Sequence, residues 1–134
     1  MAGISPKLPL SKDTVDGLKL NKTFKETVRQ NLKMLILTSP GERMMNPNFG
    51  VGLRRYLFEN ATNETFDIIK AKVREQAQTY MPYVNIIAIN FISESDTDPS
   101  TRILEGSTPS NFLRMTIEYR VASVFISDIL AIKL

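Results

Sequence analysis

The distribution of apolar residues along the chain first predicts a helix near the N-terminal third. Apolar positions recur at i, i+4 and i+7, the spacing of one helical face, and predict a helix from about residue 24 to 37. These residues are Val28, Leu32 and Leu35. Thr23 and Glu26 have the spacing of a capping box, in which each side chain satisfies a free backbone N–H of the other residue. The helix therefore has a predicted start as well as an apolar face.

A second amphipathic helix is predicted to begin after Thr62 or Asn63, either of which can cap it. Its apolar residues fall at i, i+3, i+7, i+11 and i+14 and are Phe66, Ile69, Val73, Ala77 and Tyr80. Pro82 ends the pattern, because proline cannot continue a helix. This is the clearest helical face in the sequence.

Beyond Pro82 the period becomes that of β-strands. Residues 84–92 are rich in β-branched side chains with apolar residues on both alternating faces, which predicts a strand covered on both sides. Residues 112–121 alternate between apolar and polar and predict a strand with one buried and one wet face. The polar stretch 94–109 between them predicts a hairpin loop, and residues 123–134 predict a third strand.

These elements predict an α+β fold, with two main helices plus a short helix packed on one face of a small antiparallel sheet of two to three strands. We expect residues 23–134 to form this single domain. Residues 1–22 contain two prolines and no sustained period, so we expect an irregular N-terminal arm. So small a sheet has open edges, where a strand from another chain can pair.

The two helices are joined by a segment unusually rich in proline and glycine, residues 38–59, which we call the interhelical segment. Pro47 follows Asn46 in a turn-forming sequence, while Gly50 and Gly52 allow backbone angles or close approaches that a Cβ atom blocks. A short helix is predicted over residues 53–58. We expect the apolar residues of the segment to anchor its path against the two helices: Phe49, Leu53, Leu57 and Phe58.

Composition removes most enzyme classes. The 134 residues contain no cysteine and no histidine, so disulfides, thiol nucleophiles, the commonest general base and the commonest metal ligands are all absent. Glu94, Asp96 and Asp98 alternate as in an oxygen-ligand metal loop, but the glycine and final glutamate of an EF-hand are missing. We therefore expect no metal, no cofactor and no catalytic residue.

The net charge of +3 is mild, and the basic residues fall on predicted helix surfaces without interleaved aromatics. We expect no nucleic-acid partner. No window is long and apolar enough to span a bilayer, and the N-terminus lacks the layout of a signal peptide. We therefore expect no membrane partner and a reducing cytoplasm as the place of synthesis.

Several motifs in this sequence resemble one known family. They are Pro40-Gly41-Glu42-Arg43, then Asn46-Pro47-Asn48-Phe49-Gly50, then Gly52-Leu53, and Leu57-Phe58-Glu59. In order and spacing they closely resemble the signature of the small baseplate wedge proteins of contractile-tail phages, which are related to a baseplate subunit of type VI secretion systems. The resemblance extends from about residue 32 to 121, and both terminal arms lie outside it.

The resemblance implies a non-enzymatic structural subunit of a virion tail baseplate, or of an equivalent injection machine, assembled in the bacterial host cytoplasm. The implied partners are other baseplate wedge proteins, the tail sheath subunit, and tail tube or hub proteins. Family members are thought to imitate part of a sheath subunit, so that sheath strands pair with theirs and sheath assembly starts at the baseplate.

The sequence departs from the family at one motif, because Met81-Pro82-Tyr83 stands where Glu-Pro-Arg is common. An ionic contact is therefore replaced, and we expect an apolar partner contact at this Pro82 corner, residues 81–83. The last strand supplies the other expected partner contacts: Ile129, Leu130, Ala131, Ile132, Lys133 and Leu134.

Two alternatives come from other functional classes. A regulatory domain on a similar scaffold would bind one partner without assembling, and neighbouring tail genes would argue against it. A peptidoglycan hydrolase could use Glu42 and Glu59 as its carboxylate pair. Capping, or pairing of these two carboxylates with Arg43, Arg54 or Arg55, is the better interpretation, and the lysozyme label given to some relatives finds no support in the residues.

Overall fold

The computed structural model describes residues 3–60, 62–93 and 113–133. In chain order the elements are β1 (Ser5–Pro6), β2 (Lys12–Asp13), β3 (Gly17–Leu18), β4 (Leu20–Asn21), α1 (Phe24–Leu37), a 3-10 helix (Leu53–Phe58), α2 (Asn63–Tyr80), β5 (Val84–Ser93), β6 (Leu113–Val121) and β7 (Ile126–Lys133). The predicted α+β fold is confirmed. The predicted hairpin loop and the acidic residues Glu94, Asp96 and Asp98 lie outside the described residues.

The main sheet is antiparallel with the order β5-β6-β7, so β6 is central and the other two strands form the edges. Both long helices pack on one face of it, α2 against β5 and α1 against β7. The core lies between these two layers. Its most deeply buried members are Val28, Leu32, Leu35, Ile36, Leu53, Val73, Met115, Ile117, Tyr119 and Val121.

The start of each helix follows local sequence chemistry. The Thr23 side chain accepts a hydrogen bond from the Glu26 N–H while the Glu26 carboxylate accepts one from the Thr23 N–H, so the capping box is confirmed. The same contacts lower the pKa of Glu26, because hydrogen bonds from Thr23 favour its charged form. At α2 the cap is Thr62, whose side chain accepts from the Thr65 N–H.

A β-bulge in β5 explains why this strand appears apolar on both faces. The register shifts between Ile86, which pairs with Tyr119, and Ala88, which pairs with Glu118, so Ile87 is an extra residue. The insertion changes which positions face the helices, and Ile89 and Phe91 beyond it are buried. Ile87 itself is exposed, so the expectation that β5 is covered on both sides was wrong.

The N-terminal arm differs from the irregular segment that we expected. Its four short strands form one antiparallel hairpin, with Ser5 opposite Asn21 and Lys12 opposite Leu18. Residues 8–10 loop out of the first leg, since Lys19 accepts from the Lys7 N–H and donates to the Ser11 carbonyl. We call residues 5–21 the N-terminal hairpin. Two-residue ladders carry no sustained sequence period, which is why the pattern missed them.

Within the described part of the chain, no helix is both long and apolar enough to cross a membrane.

Candidate functional site

The interhelical segment is fastened to the end of α1 by its own backbone. Thr38 ends the helix, and its hydroxyl donates to the Met34 carbonyl over 2.6 Å. The Val51 N–H then donates to the Leu35 carbonyl over 3.0 Å, and the Gly52 N–H to the Thr38 carbonyl over 2.9 Å. The returning chain therefore satisfies carbonyl groups that the helix end leaves free.

Gly50 and Gly52 are required by this return. Gly50 has φ +109°, and a Cβ atom there would overlap the carbonyl oxygen of Thr38. Gly52 has φ +70°, and its Cβ would lie 2.9 Å from Cδ of Pro40. Both angles lie in the left-handed region that side chains disfavour. The predicted role of the two glycines is confirmed.

Gln76 of α2 clamps the segment from the other side. Its side-chain carbonyl accepts from the Gly50 N–H over 2.9 Å, and its amide nitrogen donates to the Asn48 carbonyl over 3.1 Å. Gln76 and Gly50 are buried, so the Gly50 N–H has no water as an alternative partner, whereas Asn48 is exposed and its bond lies nearer the surface. One glutamine amide thus completes the hydrogen bonding of a turn inside the fold.

An aromatic stack holds the loop that precedes Gly50. The Phe49 ring meets Tyr80 edge-on at 4.9 Å between centroids, and the Arg43 guanidinium lies 3.8 Å from the Phe49 centroid on a cation–π contact. The Tyr80 hydroxyl donates to the Asn46 side-chain oxygen over 3.1 Å. Phe49 therefore anchors the segment as predicted, and Arg43 braces it.

The rest of the segment presents apolar side chains to solvent. Met44 and Met45 are 94% and 98% exposed, and Phe58 is 94% exposed. The predicted anchoring by Phe58 was wrong: at the last position of the 3-10 helix its ring points away from the core that Leu53 enters. The structure does not describe the Leu57 side chain.

The charged residues of the segment do not pair as we expected. Among the described residues, no ion pair involves Glu42, Glu59, Arg54 or Arg55, and all four side chains are exposed. The interpretation that the two carboxylates pair with arginines was therefore wrong. Arg54 and Arg55 are thus two exposed cations with no ion pair to any described residue, in the same segment as the exposed apolar side chains.

The Pro82 corner is only partly available to a partner. Met81 is 5% exposed because it continues the apolar face of α2 one turn beyond Ala77, so its expected role as a contact residue was wrong. Pro82 and Tyr83 are exposed, and the Tyr83 ring lies 6.4 Å from that of Phe24. A partner at this corner meets the proline and the tyrosine edge.

Strand β7 divides its residues between the core and the open edge. The backbone N–H of Ala122, at the end of β6, donates to the Tyr83 carbonyl beside β5. Successive residues of a strand direct their backbone groups to opposite sides, so even-numbered residues of β6 bond toward β5. Odd-numbered residues, including Tyr119, therefore bond toward β7. Tyr119 pairs with Asp128, which therefore faces β6. By alternation, the backbone groups of three residues point away from β6: Ser127, Ile129 and Ala131.

Side chains in β7 follow the same alternation. Leu130 and Ile132 are buried, so the expectation that these two side chains contact a partner was wrong. Ile129 and Ala131 are exposed on the face away from the helices. The Lys133 side chain and Leu134 lie outside the described residues. The open edge of β7 therefore presents backbone hydrogen-bonding groups together with the side chains of Ile129 and Ala131.

Asp128 ties β7 to α1. Its carboxylate lies 3.3 Å from Nζ of Lys25 and 3.9 Å from Nη1 of Arg29, and it accepts a hydrogen bond from the Tyr119 hydroxyl over 3.3 Å. Burial alone raises the pKa of Asp128, but the Ile129 N–H and the charges of Lys25 and Arg29 outweigh it and lower the pKa below 3.8. Burial, followed by the Asp128 charge, raises the pKa of Tyr119.

Sequence reasoning missed Gln76 and Asp128, although each carries a signal. Gln76 lies three residues after Val73, inside the apolar face of α2, where a polar residue must find partners. Asp128 sits in an otherwise apolar alternation with Ile126, Leu130 and Ile132. A polar residue at a predicted core position is thus the sign to look for, but its partners are distant in sequence.

The sequence matches a known protein family and one of its characterised members. The family model of baseplate wedge protein gp25 matches residues 22–124. Baseplate wedge protein gp25 of Enterobacteria phage T4 is 30% identical over 90 residues, which are 67% of this chain and 64% of that protein. The chain therefore matches slightly less than two thirds of that relative's length.

Solved structures that are similar to this chain include two baseplate- or tail-related proteins. One chain of the anti-feeding prophage baseplate has a TM-score of 0.66 at 26% identity, over 87% of this chain and 83% of that one. A putative tail lysozyme from Geobacter sulfurreducens has a TM-score of 0.65 at 21% identity, over 87% and 94%. The second likeness shows the fold alone. With the family model matching from the start of α1 to the turn after β6, the chain belongs to the family of baseplate wedge protein gp25.

Proposed function

We propose that this chain is a structural subunit of the baseplate of a contractile tail or related injection machine, assembled in the bacterial host cytoplasm. It binds neighbouring wedge proteins through the interhelical segment and the Pro82 corner. It also pairs with a strand of the tail sheath subunit along β7, and so starts sheath assembly. Membership of the wedge family supports the first part, and the open edge of β7 supports the second.

The two edges of the sheet differ in their fitness for pairing. β5 carries the bulge at Ile87, and bulges disrupt a ladder and twist an edge away from partners. β7 pairs with β6 in unbroken register from Ile126 to Lys133, so its backbone is regular over its whole length. The observation that carries the proposal is this regular edge, which no described strand occupies.

The wedge side has a different chemistry. Met44, Met45 and Phe58 are the most exposed large apolar residues among those described, and Arg54 and Arg55 stand unpaired in the same segment. Methionine, aromatic residues and arginine are the residue types enriched in the cores of protein interfaces. The clamp by Gln76 and the Phe49 stack hold the segment in one conformation before binding, which lowers the entropic cost of association.

A proline at Ala131 tests the strand-pairing part. The Ala131 N–H points away from β6, so proline removes a donor that only an incoming strand uses, and edge positions of this kind tolerate proline. Ala131→Thr keeps the N–H and adds a β-branched side chain, which makes it a matched control. Deleting the whole strand is less informative, because Leu130 and Ile132 would leave the core with it.

The readout is nucleation of sheath polymerisation when each purified protein is mixed with purified sheath subunit, followed by light scattering and electron microscopy. We expect the original chain and Ala131→Thr to abolish the lag before polymerisation, and Ala131→Pro to restore it. The melting temperatures of both variants show whether they remain folded. Equal nucleation by a folded Ala131→Pro variant would overturn pairing at β7 and leave wedge binding untouched.

A further inference from the structure

The N-terminal hairpin has an exposed apolar residue at its apex, which we call the tip, and no part of the described domain covers it. Val15 stands at the apex and is 83% exposed, and Leu10 in the looped-out residues 8–10 is 64% exposed. Leu8 and Leu18 are also exposed. An apex of a hairpin needs only polar turn residues, so apolar side chains there call for an explanation beyond the fold.

This hairpin is held in place and is not a loose tail. The Gln30 side chain of α1 accepts from the Leu8 N–H over 2.9 Å and donates to the Pro6 carbonyl over 2.9 Å. The buried Asn21 amide donates to the same Gln30 oxygen and to the Ser5 hydroxyl. At the apex the Asp13 carboxylate accepts from the Val15 N–H over 3.4 Å. The base of the hairpin is therefore fixed relative to α1, and the apex has a hydrogen bond of its own.

The charges on the hairpin are also asymmetric. Asp16 pairs with Lys22 over 3.1 Å, whereas the Asp13 carboxylate accepts from the Val15 N–H and keeps its negative charge. Lys12 and Lys19 are exposed, and neither forms an ion pair with any described residue. Two lysines without an ion pair against one such carboxylate leave an excess of positive charge near the tip, so the surface that complements it is apolar at its centre and acidic at its rim.

We propose that the N-terminal hairpin is a docking element, whose apex inserts Val15 into an apolar, acidic-rimmed pocket of another protein of the same particle. Protein is the favoured partner because the apolar tip is small, lacks the tryptophan and tyrosine of interfacial membrane anchors, and is fixed by hydrogen bonds on a hairpin. The inference rests on the proposed function in one respect: the partner is expected in the same baseplate-containing particle. The matched family region begins at residue 22, after this hairpin.

The test places a photo-crosslinking amino acid at position 15 of the full chain, in particles assembled in the host. Position 124 is the control, because Val124 is an exposed valine in the turn between β6 and β7. We expect position 15 to crosslink to one baseplate or sheath protein, at residues flanked by aspartate or glutamate. That protein, once purified, should bind Val15→Ser about tenfold more weakly than the original chain, and Val124→Ser equally well.

Two further measurements test the charge of the pocket rim and the alternative of a membrane partner. Lys12→Glu with Lys19→Glu should weaken the same complex, and added salt should reduce the difference. Vesicles of phosphatidylethanolamine and phosphatidylglycerol serve as the alternative probe, and flotation of the original chain but not Val15→Ser with them would overturn the protein-partner inference.

The outcomes separate the two proposals. If the chain is incorporated into the baseplate but position 15 gives no crosslink, or scattered ones, the docking element is refuted and the proposed function stands. If the chain is absent from the baseplate, the proposed function fails. A single defined crosslink from position 15 would still support the docking element in that case.

Discussion

The Gln76 side-chain carbonyl in α2 accepts a hydrogen bond from the backbone N–H of Gly50 over 2.9 Å, in a buried position 26 residues away in sequence. This contact joins the long helix to the point where the interhelical segment turns back toward α1. The same amide also holds the Asn48 carbonyl. The shape of the segment therefore depends on α2 as much as on its own prolines and glycines.

Replacing Gln76 with leucine should destabilise the protein strongly. The substitution keeps a similar side-chain volume but leaves the Gly50 N–H buried without a partner, at a cost of about 1–3 kcal/mol in the free energy of unfolding, while the Asn48 carbonyl of an exposed residue can turn to water. Urea denaturation followed by circular dichroism measures it. Gln78→Leu is the matched control, since Gln78 is exposed on the same helix, and we expect a change within about 0.5 kcal/mol. Equal effects at the two positions would contradict the clamp.

Alanine at Gly50 should cost more than alanine at Gly41. Both glycines have positive φ, +109° and +92°, so both substitutions strain the backbone. Only at Gly50 does the new Cβ also overlap the Thr38 carbonyl, whereas nothing lies within 4 Å of a Cβ at Gly41. We expect about 1–2 kcal/mol for Gly41→Ala and upwards of about 3 kcal/mol for Gly50→Ala. Thermal unfolding of the two variants measures these losses of stability. A larger loss for Gly41→Ala than for Gly50→Ala would refute the close approach at Gly50.

Asparagine at Asp128 should weaken the attachment of β7 to α1 and remove a pH dependence. The pKa of this carboxyl is lowered in the folded state, so its stabilisation is present above the unfolded value near 3.8 and is lost as the pH falls through the lower folded value. At pH 7 we expect Asp128→Asn to cost about 1–2 kcal/mol, because Lys25 and Arg29 are half exposed and can regain water.

The measurement for Asp128 is unfolding free energy against pH. The difference between original and variant should shrink as the pH is lowered below about 4. Asp67→Asn is the control, because Asp67 pairs with Lys70 on the exposed face of α2 and should change stability little. A difference that stays constant down to pH 2 would show that the Asp128 charge is not what matters.

Serine at both Met44 and Met45 should impair assembly without impairing the fold. Neither side chain contributes to the core, so the melting temperature should hardly change. If the interhelical segment binds wedge proteins, losing two methionines from the contact should weaken binding by more than about tenfold. Sedimentation of co-expressed wedge complexes reports it, with Ile68→Ser, an exposed apolar position on α2, as the control. Undiminished complex formation by the double variant would show that Met44 and Met45 are not part of the contact with wedge proteins.

The parts of this fold that the sequence predicts are those that depend on residues close together in the chain. The capping box at Thr23, the apolar face of α2 and the alternation in β6 each involve residues within a few positions, and all three are confirmed. The role of Gly50 was also predictable, because a glycine amid turn residues indicates a backbone constraint.

What the sequence could not predict was decided by long-range contacts. Met81 is buried in the core that the helices form with distant strands, whereas its place beside Pro82 suggested a partner contact. The N-terminal hairpin depends on Gln30, which lies 24 residues from Pro6. Ile87 shows the same limit, because a bulge within an apolar run leaves no mark in composition.

Strand β7 is at once a wall of the core, through Leu130 and Ile132, and the edge on which we expect a foreign strand. A ligand that binds only the folded form shifts the unfolding equilibrium, by about 2.7 kcal/mol when it is present at a hundred times its dissociation constant. Pairing at this edge therefore protects the interior of the subunit as well as joining two proteins. If a foreign strand pairs here as proposed, folding and assembly are thermodynamically linked through one strand, and we expect the subunit to resist unfolding and proteolysis better inside the particle than before it is incorporated.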